Sequence, residues 1–96
     1  MGSRHVQERV HNCTTVTVRY FAAARAAAGV DEETLNVSAA GSVEDLLALV
    51  SARHCTELNR VLGRCSFLLD GLIIHDRSVP VRGTSTLDVL PPFAGG

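Results

Sequence analysis

Ninety-six residues with a formal net charge of −1 make one small domain, large enough for a single core burying about 60% of the unfolded chain's surface. That balance excludes a global electrostatic case for nucleic acid or for a membrane surface. Every one of the nine basic residues is arginine, so no lysine amine is present to accept another copy's carboxyl terminus.

The three cysteines, Cys13, Cys55 and Cys65, are odd in number and lack C-x-x-C spacing. They fit neither a disulfide framework nor a zinc site, and they point to a reducing cytoplasm. The segment Met1 to Asn12 is polar, without the apolar run of a signal peptide, and no stretch of the chain approaches a membrane-spanning length. Residues 1–13 are therefore expected to be a disordered extension, 14–90 the folded domain and 91–96 a flexible tail.

Within the domain, Thr15–Phe21 is β-branched and aromatic, with Val16, Val18 and Tyr20 facing one way and Thr17, Arg19 and Phe21 the other. It predicts the first strand. Ala22–Ala28 follows as about two turns of helix, closed by Gly29 as a left-handed C-cap. Glu33–Ser38 alternates again and predicts a second strand paired with the first.

Ser42 is placed to cap the main helix, with Asp45 three residues on in a capping-box position. Glu44 and Asp45 sit at the positive end of the dipole, and Val43, Leu46, Leu47 and Val50 form one apolar stripe that runs to about His54. Leu58, Val61 and Leu62 continue at helical spacing in a short piece stopped by Gly63. Ser66–Leu69 then meets Leu72–His75 across Asp70-Gly71, a strong hairpin signal. Pro80–Gly83 is a loop, and Thr86–Leu90 is the last strand.

This order predicts an α+β fold in which the first and last strands lie parallel at the centre of a mixed sheet packed on one main helix, a β-grasp arrangement. A ferredoxin-like alternative needs a second full-length helix that the sequence does not supply.

After Leu90, Pro91 and Pro92 fix φ and cannot extend a ladder, so the chain leaves the sheet as a semi-rigid stalk. Six residues reach at most about 20 Å. Beyond Phe93 the side chains dwindle to a methyl and then to nothing, which makes Ala94, Gly95 and Gly96 a thread thin enough for a narrow tunnel. The distinctive group at its tip is the α-carboxylate of Gly96, which is read as a group to be activated by a partner.

Val18-Arg19-Tyr20-Phe21-Ala22-Ala23-Ala24-Arg25 followed by Gly29, the helix capped by Ser42, and the ending Leu90-Pro91-Pro92-Phe93-Ala94-Gly95-Gly96 together resemble the MoaD branch of the MoaD/ThiS sulfur-carrier proteins. The resemblance covers Thr15 to Gly96. Where many members have a Gly-Asp turn before the last strand, this chain has Gly83-Thr84-Ser85.

The resemblance implies a ubiquitin-like small subunit of molybdopterin synthase, a non-catalytic cosubstrate without an active site of its own. An ATP-dependent adenylyltransferase of the ubiquitin-activating type would adenylate the Gly96 carboxylate, and a sulfur donor would convert it to a thiocarboxylate. The tail would then enter the large synthase subunit and give sulfur to cyclic pyranopterin monophosphate. ATP would be used by the activating partner, with no cofactor or metal held by this chain. Sulfur carriage for thiamin thiazole or cysteine synthesis, and a ubiquitin-like modifier or interaction module, are the alternatives.

Phe21 and Leu90 near the exit, and Phe93 on the stalk, are candidates for an apolar patch that seats the sheet on the synthase subunit, with plain core as the competing role for the first two. Arg25 reads as a solvated arginine. His5, His11, His54 and His75 have no metal-ligand spacing. His54-Cys55 is not a catalytic pair, because adjacent residues at a helix end point apart. Cys65 reads as a small buried residue. Without a phosphate-binding glycine loop, the chain is not expected to bind nucleotide.

Overall fold

The computed structural model describes residues 13–38, 41–54 and 56–92. Strand β1 (Cys13–Tyr20) leads into helix α1 (Ala22–Ala28) and strand β2 (Glu32–Ser38). Helices α2 (Val43–Arg53) and α3 (Thr56–Leu62) follow, then β3 (Ser66–Leu69), β4 (Leu72–Ile73) and β5 (Thr84–Leu90). The five strands form one sheet in the order β2-β1-β5-β3-β4.

At its centre β1 and β5 are parallel, with Val18 opposite Leu87 and Tyr20 opposite Val89. The flanking pairs are antiparallel. The parallel centre predicted from element order is present, and the chain has the α+β, β-grasp architecture.

Alternation sorts the strand residues as expected. Val16, Val18, Tyr20, Leu35, Val37, Phe67, Leu87 and Val89 point inward and are buried. They meet Val43, Leu46, Leu47 and Val50 of α2, Leu58 and Leu62 of α3, and Ala24 of α1. Fully burying a Val, Leu or Phe side chain is worth about 1.5–3 kcal/mol, so this single cluster is the main source of stability.

Local chemistry sets the element ends. Gly29 caps α1 at φ 81, and its N–H donates to Arg25 O. Ser42 and Asp45 form the full reciprocal capping box of α2: Asp45 N–H donates to Ser42 Oγ at 3.3 Å and Ser42 N–H to Asp45 Oδ2 at 3.0 Å. The next free donors of that helix end are satisfied by the chain after β4, Val43 N–H by Val79 O and Glu44 N–H by Arg77 O. Asp70 (φ 51) and Gly71 (φ 87) both take left-handed backbone, as a two-residue hairpin turn requires.

Several boundaries differ from the sequence reading. Strand β1 begins at Cys13, which the sequence reading counts in the N-terminal extension, β2 at Glu32 and β5 at Thr84, because the ladders run on to pair Cys13 with Ser38, Arg19 with Glu32 and Thr15 with Thr84. The hairpin's second strand stops at Ile73 instead of His75, although Ile74 N–H still donates to Phe67 O at 3.0 Å and its side chain packs on the core. Phe21, read as the end of the first strand, is the N-cap of α1, with extended backbone (φ −124, ψ 148). The residue after it, Ala22, sits at φ 51, an uncommon conformation for a side chain with a Cβ. This single residue turns the chain sharply from strand into helix.

Candidate functional site

The parallel pairing brings the C-terminal ends of β1 and β5 to one edge of the molecule, where the chain departs through Pro91 and Pro92. Of the residues singled out from sequence, Phe21 and Leu90 arrive here together. Phe21 N–H donates to Val89 O at 3.3 Å, which sets its side chain beyond Tyr20 and on the opposite face. Phe21 is 39% exposed and Leu90 is half-buried, so neither belongs to the core cluster. Phe93, Ala94, Gly95 and Gly96 lie outside the described residues.

The sheet face turned away from the helices carries a row fixed by register: Glu32, Arg19, Asp88, Leu68 and Ile73 stand side by side across all five strands. Leu90 stands in the next row, opposite Ser66. At the middle of this face Arg19 grips Asp88 through two bonds, Nε to Oδ1 at 2.6 Å and Nη2 to Oδ2 at 2.9 Å. That fork geometry is the strong form of a charge-assisted pair. Asp88 is 7% exposed, and the hydrogen bond and charge of Asp88 hold the Arg19 guanidinium above its ordinary pKa.

The guanidinium carbon also lies 5.8 Å from the centroid of the Phe21 ring, within cation–π range. Arg19 thereby neutralises a shielded carboxylate and steadies an exposed aromatic at once. On the β3–β4 side of the ion pair and toward the exit, the same face carries Leu68, the 56%-exposed Ile73, Leu90 and Phe21. The sequence reading missed Arg19, Asp88, Leu68 and Ile73. Alternation already places Arg19 on the Phe21 face, but only register shows that Asp88 is its neighbour.

On the inner side of the same edge, a polar knot ties β1 and β2 to the end of α2. Tyr20 Oη donates to Glu33 Oε2, and His54 Nε2 meets the same oxygen at 2.5 Å. A carboxylate oxygen only accepts, so that contact places a proton on Nε2. Arg53 Nε reaches Glu33 Oε1 at 3.2 Å. Burial pushes the Glu33 carboxyl up, but the hydrogen bonds from Tyr20 and His54 and the charges of His54 and Arg53 outweigh it and hold the group below its ordinary value. Burial, and then the bond to Glu33, push the Tyr20 hydroxyl well up. These are fastening groups rather than reactive ones.

The remaining candidates fall to ordinary roles. Arg25 lies 3.6 Å from Asp31 at the surface, and His75 is exposed. Burial raises the Cys65 thiol to about 11, and its S–H donates to Val61 O at 3.1 Å, so it is an unreactive packing residue. Cys55, His5 and His11 lie outside the described residues. Among the described residues, no group of three or more His, Cys, Asp or Glu side chains is placed to hold a metal, and no helix is long and apolar enough to cross a membrane.

The site is thus an exit rather than a pocket: an apolar, ion-pair-centred sheet face beside a diproline stalk. Three comparisons bear on it. The model of the ThiS family matches residues 18–96. A molybdopterin synthase sulfur carrier subunit from Chlamydomonas reinhardtii is 32% identical over 82 residues, which cover 84% of this chain and 98% of that one.

Among solved structures, a putative molybdopterin converting factor, subunit 1, from Pyrococcus furiosus superposes with a TM-score of 0.74. It is 24% identical, with 82% of this chain and 98% of that chain covered. Its likeness shows the fold. A protein–protein complex of subunits 1 and 2 of molybdopterin-converting factor from Helicobacter pylori matches with a TM-score of 0.62 at 25% identity, covering 86% of this chain and 100% of that chain.

Proposed function

Because this chain belongs to the ThiS family, we propose that it is the sulfur-carrier small subunit of a molybdopterin synthase and acts through its carboxyl terminus. The observation that supports this most directly is the exit itself. The central strand β5 runs to Leu90 at the same edge as Phe21 and hands the chain to Pro91 and Pro92, leaving Phe93, Ala94, Gly95 and Gly96 to reach into another protein. The Chlamydomonas relative suggests the pathway, and the Helicobacter complex of two subunits suggests a large-subunit partner.

In this reading Gly96 carries the transferable atom. A carboxylate resists nucleophiles because its charge is delocalised. Attack of a Gly96 oxygen on the α-phosphate of ATP, within an activating enzyme, expels pyrophosphate and leaves an acyl adenylate. A sulfur nucleophile then attacks the acyl carbon and expels AMP as the acyl C–O bond breaks; sulfide-level sulfur gives the thiocarboxylate directly, and a persulfide donor gives an acyl disulfide that a thiol reductant cleaves to it. Tethering the sulfur to a folded domain replaces free sulfide with a nucleophile held at high effective concentration.

Gly95 and Ala94 keep the thread narrow, while Phe93, Phe21 and Leu90 seat the domain on the large subunit. Backbone hydrogen bonds inside the partner, each worth about 0.5–1.5 kcal/mol net, offset part of the cost of ordering the thread, about 1–2 kcal/mol per residue. The balance leaves the tail able to pass from the activating enzyme to the synthase. The setting is the reducing cytoplasm, where a thiocarboxylate survives.

Mass spectrometry tests the proposal. Incubation of the protein with ATP, its activating enzyme and a sulfur source is expected to add the mass difference of one oxygen replaced by one sulfur, located on Gly96. Amide adducts without that gain would instead assign the chain to protein modification. Co-purification with a large synthase subunit, and loss of molybdoenzyme activity with retained thiamin synthesis on gene deletion, check the pathway.

A further inference from the structure

We propose that the groove between α1, α3 and the diproline is a second docking surface, which takes a carboxylate-bearing segment of the protein that receives the tail. The inference rests on the tail-donor reading above. The groove encloses about 300 Å³ and is lined by Ala23 of α1, Val61 of α3, Pro91 and Pro92, with Glu57, Arg60 and Arg64 as its charged groups. Two guanidinium groups against one carboxylate leave it net positive. Arg19, Arg25 and Arg53 each face an acidic partner, whereas no ion pair involves Arg60 or Arg64 among the described residues.

Position selects the occupant. Pro91 and Pro92 are both a wall of the groove and the foot of the tail, so any protein that closes around residue 93 overhangs this groove. The apolar sheet face lies to one side of the stalk and the arginine groove to the other, and a partner that grips the tail meets both.

Guanidinium groups favour carboxylates because two parallel N–H donors match two oxygens. A nucleotide phosphate is the poorer match here. On the tail-donor reading an acyl adenylate would sit on Gly96, four residues past Pro92, whereas the receiving protein's surface must meet Pro91 and Pro92 themselves. Acidic side chains around the mouth of the tail-receiving channel are the chemistry that fits.

The arginines also lie toward the C-terminal end of α3, where positive charge suits the helix dipole. That role alone predicts an effect on stability and none on binding. The test therefore titrates the full chain against the large synthase subunit by calorimetry at low and at high salt, as wild type and as the R60E/R64E variant, with thermal unfolding of each chain alongside.

The expected result is an affinity on the order of tenfold weaker for R60E/R64E at low salt, with the gap closing as salt rises. A Phe21→Ala variant is expected to weaken binding to a similar degree at both salts. The R60Q/R64Q variant, which removes attraction without adding repulsion, is expected to fall between wild type and R60E/R64E. Unchanged affinity and salt dependence in R60E/R64E would overturn the docking surface and leave the helix-end role. Tighter binding would overturn it too, and would assign the arginines to the tail's own carboxylate. If wild type itself fails to bind the large subunit, the proposed function falls, an outcome distinct from the loss of this surface alone.

Discussion

At the scale of single residues, the polar contacts at the exit edge divide into two kinds. Arg19 and Asp88 make a paired, outward-facing centre for an apolar face, whereas Glu33 collects Tyr20, His54 and Arg53 behind it. Glu33 has a pH signature with a definite sign. Its folded pKa lies below the ordinary 4.5, so the unfolded chain binds more protons in the window just below that value. The stabilisation is complete above it and is lost as the pH falls through the folded pKa. A Glu33→Gln variant is expected to be less stable than wild type at neutral pH and to lose less stability on acidification. Urea unfolding between pH 7 and pH 3 measures it, and parallel acid limbs in the two proteins would contradict the assignment. The knot was hidden in the sequence because its members sit 13 and 21 residues apart and share no spacing motif.

At the scale of elements, signals confined to a few residues were readable and those that depend on register were not. The Ser42 and Asp45 box, the Gly29 cap and the Asp70-Gly71 turn each follow from local backbone chemistry, and each is where the sequence placed it. The Arg19 to Asp88 pair, separated by 69 residues, exists only because β1 and β5 align in parallel. Likewise the stretch from Arg77 to Val81, plain loop by composition, is tied to the start of α2: Val79 O and Arg77 O take its free N–H groups, and Val81 N–H donates to Gly41 O. Ser42→Ala removes the side-chain half of that cap and is expected to cost about 1 kcal/mol, read as a lower urea midpoint at unchanged slope. Because two other donors of the helix end keep their partners, the fold survives the loss.

At the scale of the whole molecule, the domain is a base whose central strand runs directly into the diproline at the foot of the tail. The fold was legible because apolar alternation, one amphipathic helix and a hairpin turn leave few topologies. The apolar outer face beside the exit was legible only in part. Phe21 and Leu90 stood out as apolar residues near the exit, while Leu68 and Ile73 look like ordinary strand residues until pairing places them on the outer face. If the thread is the working part, changes there should separate activity from stability. Gly95→Val, or one residue added after Gly96, is expected to lower sulfur transfer by about 100-fold or more, as a small misplacement of reacting groups can, while thermal stability stays within about 0.5 kcal/mol of wild type. Single-turnover transfer assays beside a melting curve read both quantities.

The hydrogen-bonding of β5 on both of its edges, to β1 and to β3, has a mechanical side. Tension applied to the chain beyond Pro92 is directed along β5 itself. Every rung on both flanks then shares the strain at once, instead of parting one after another as in an unzipping hairpin. If the tail is threaded into one enzyme and pulled free for the next, as proposed, it is anchored by the strand best placed to withstand the tug.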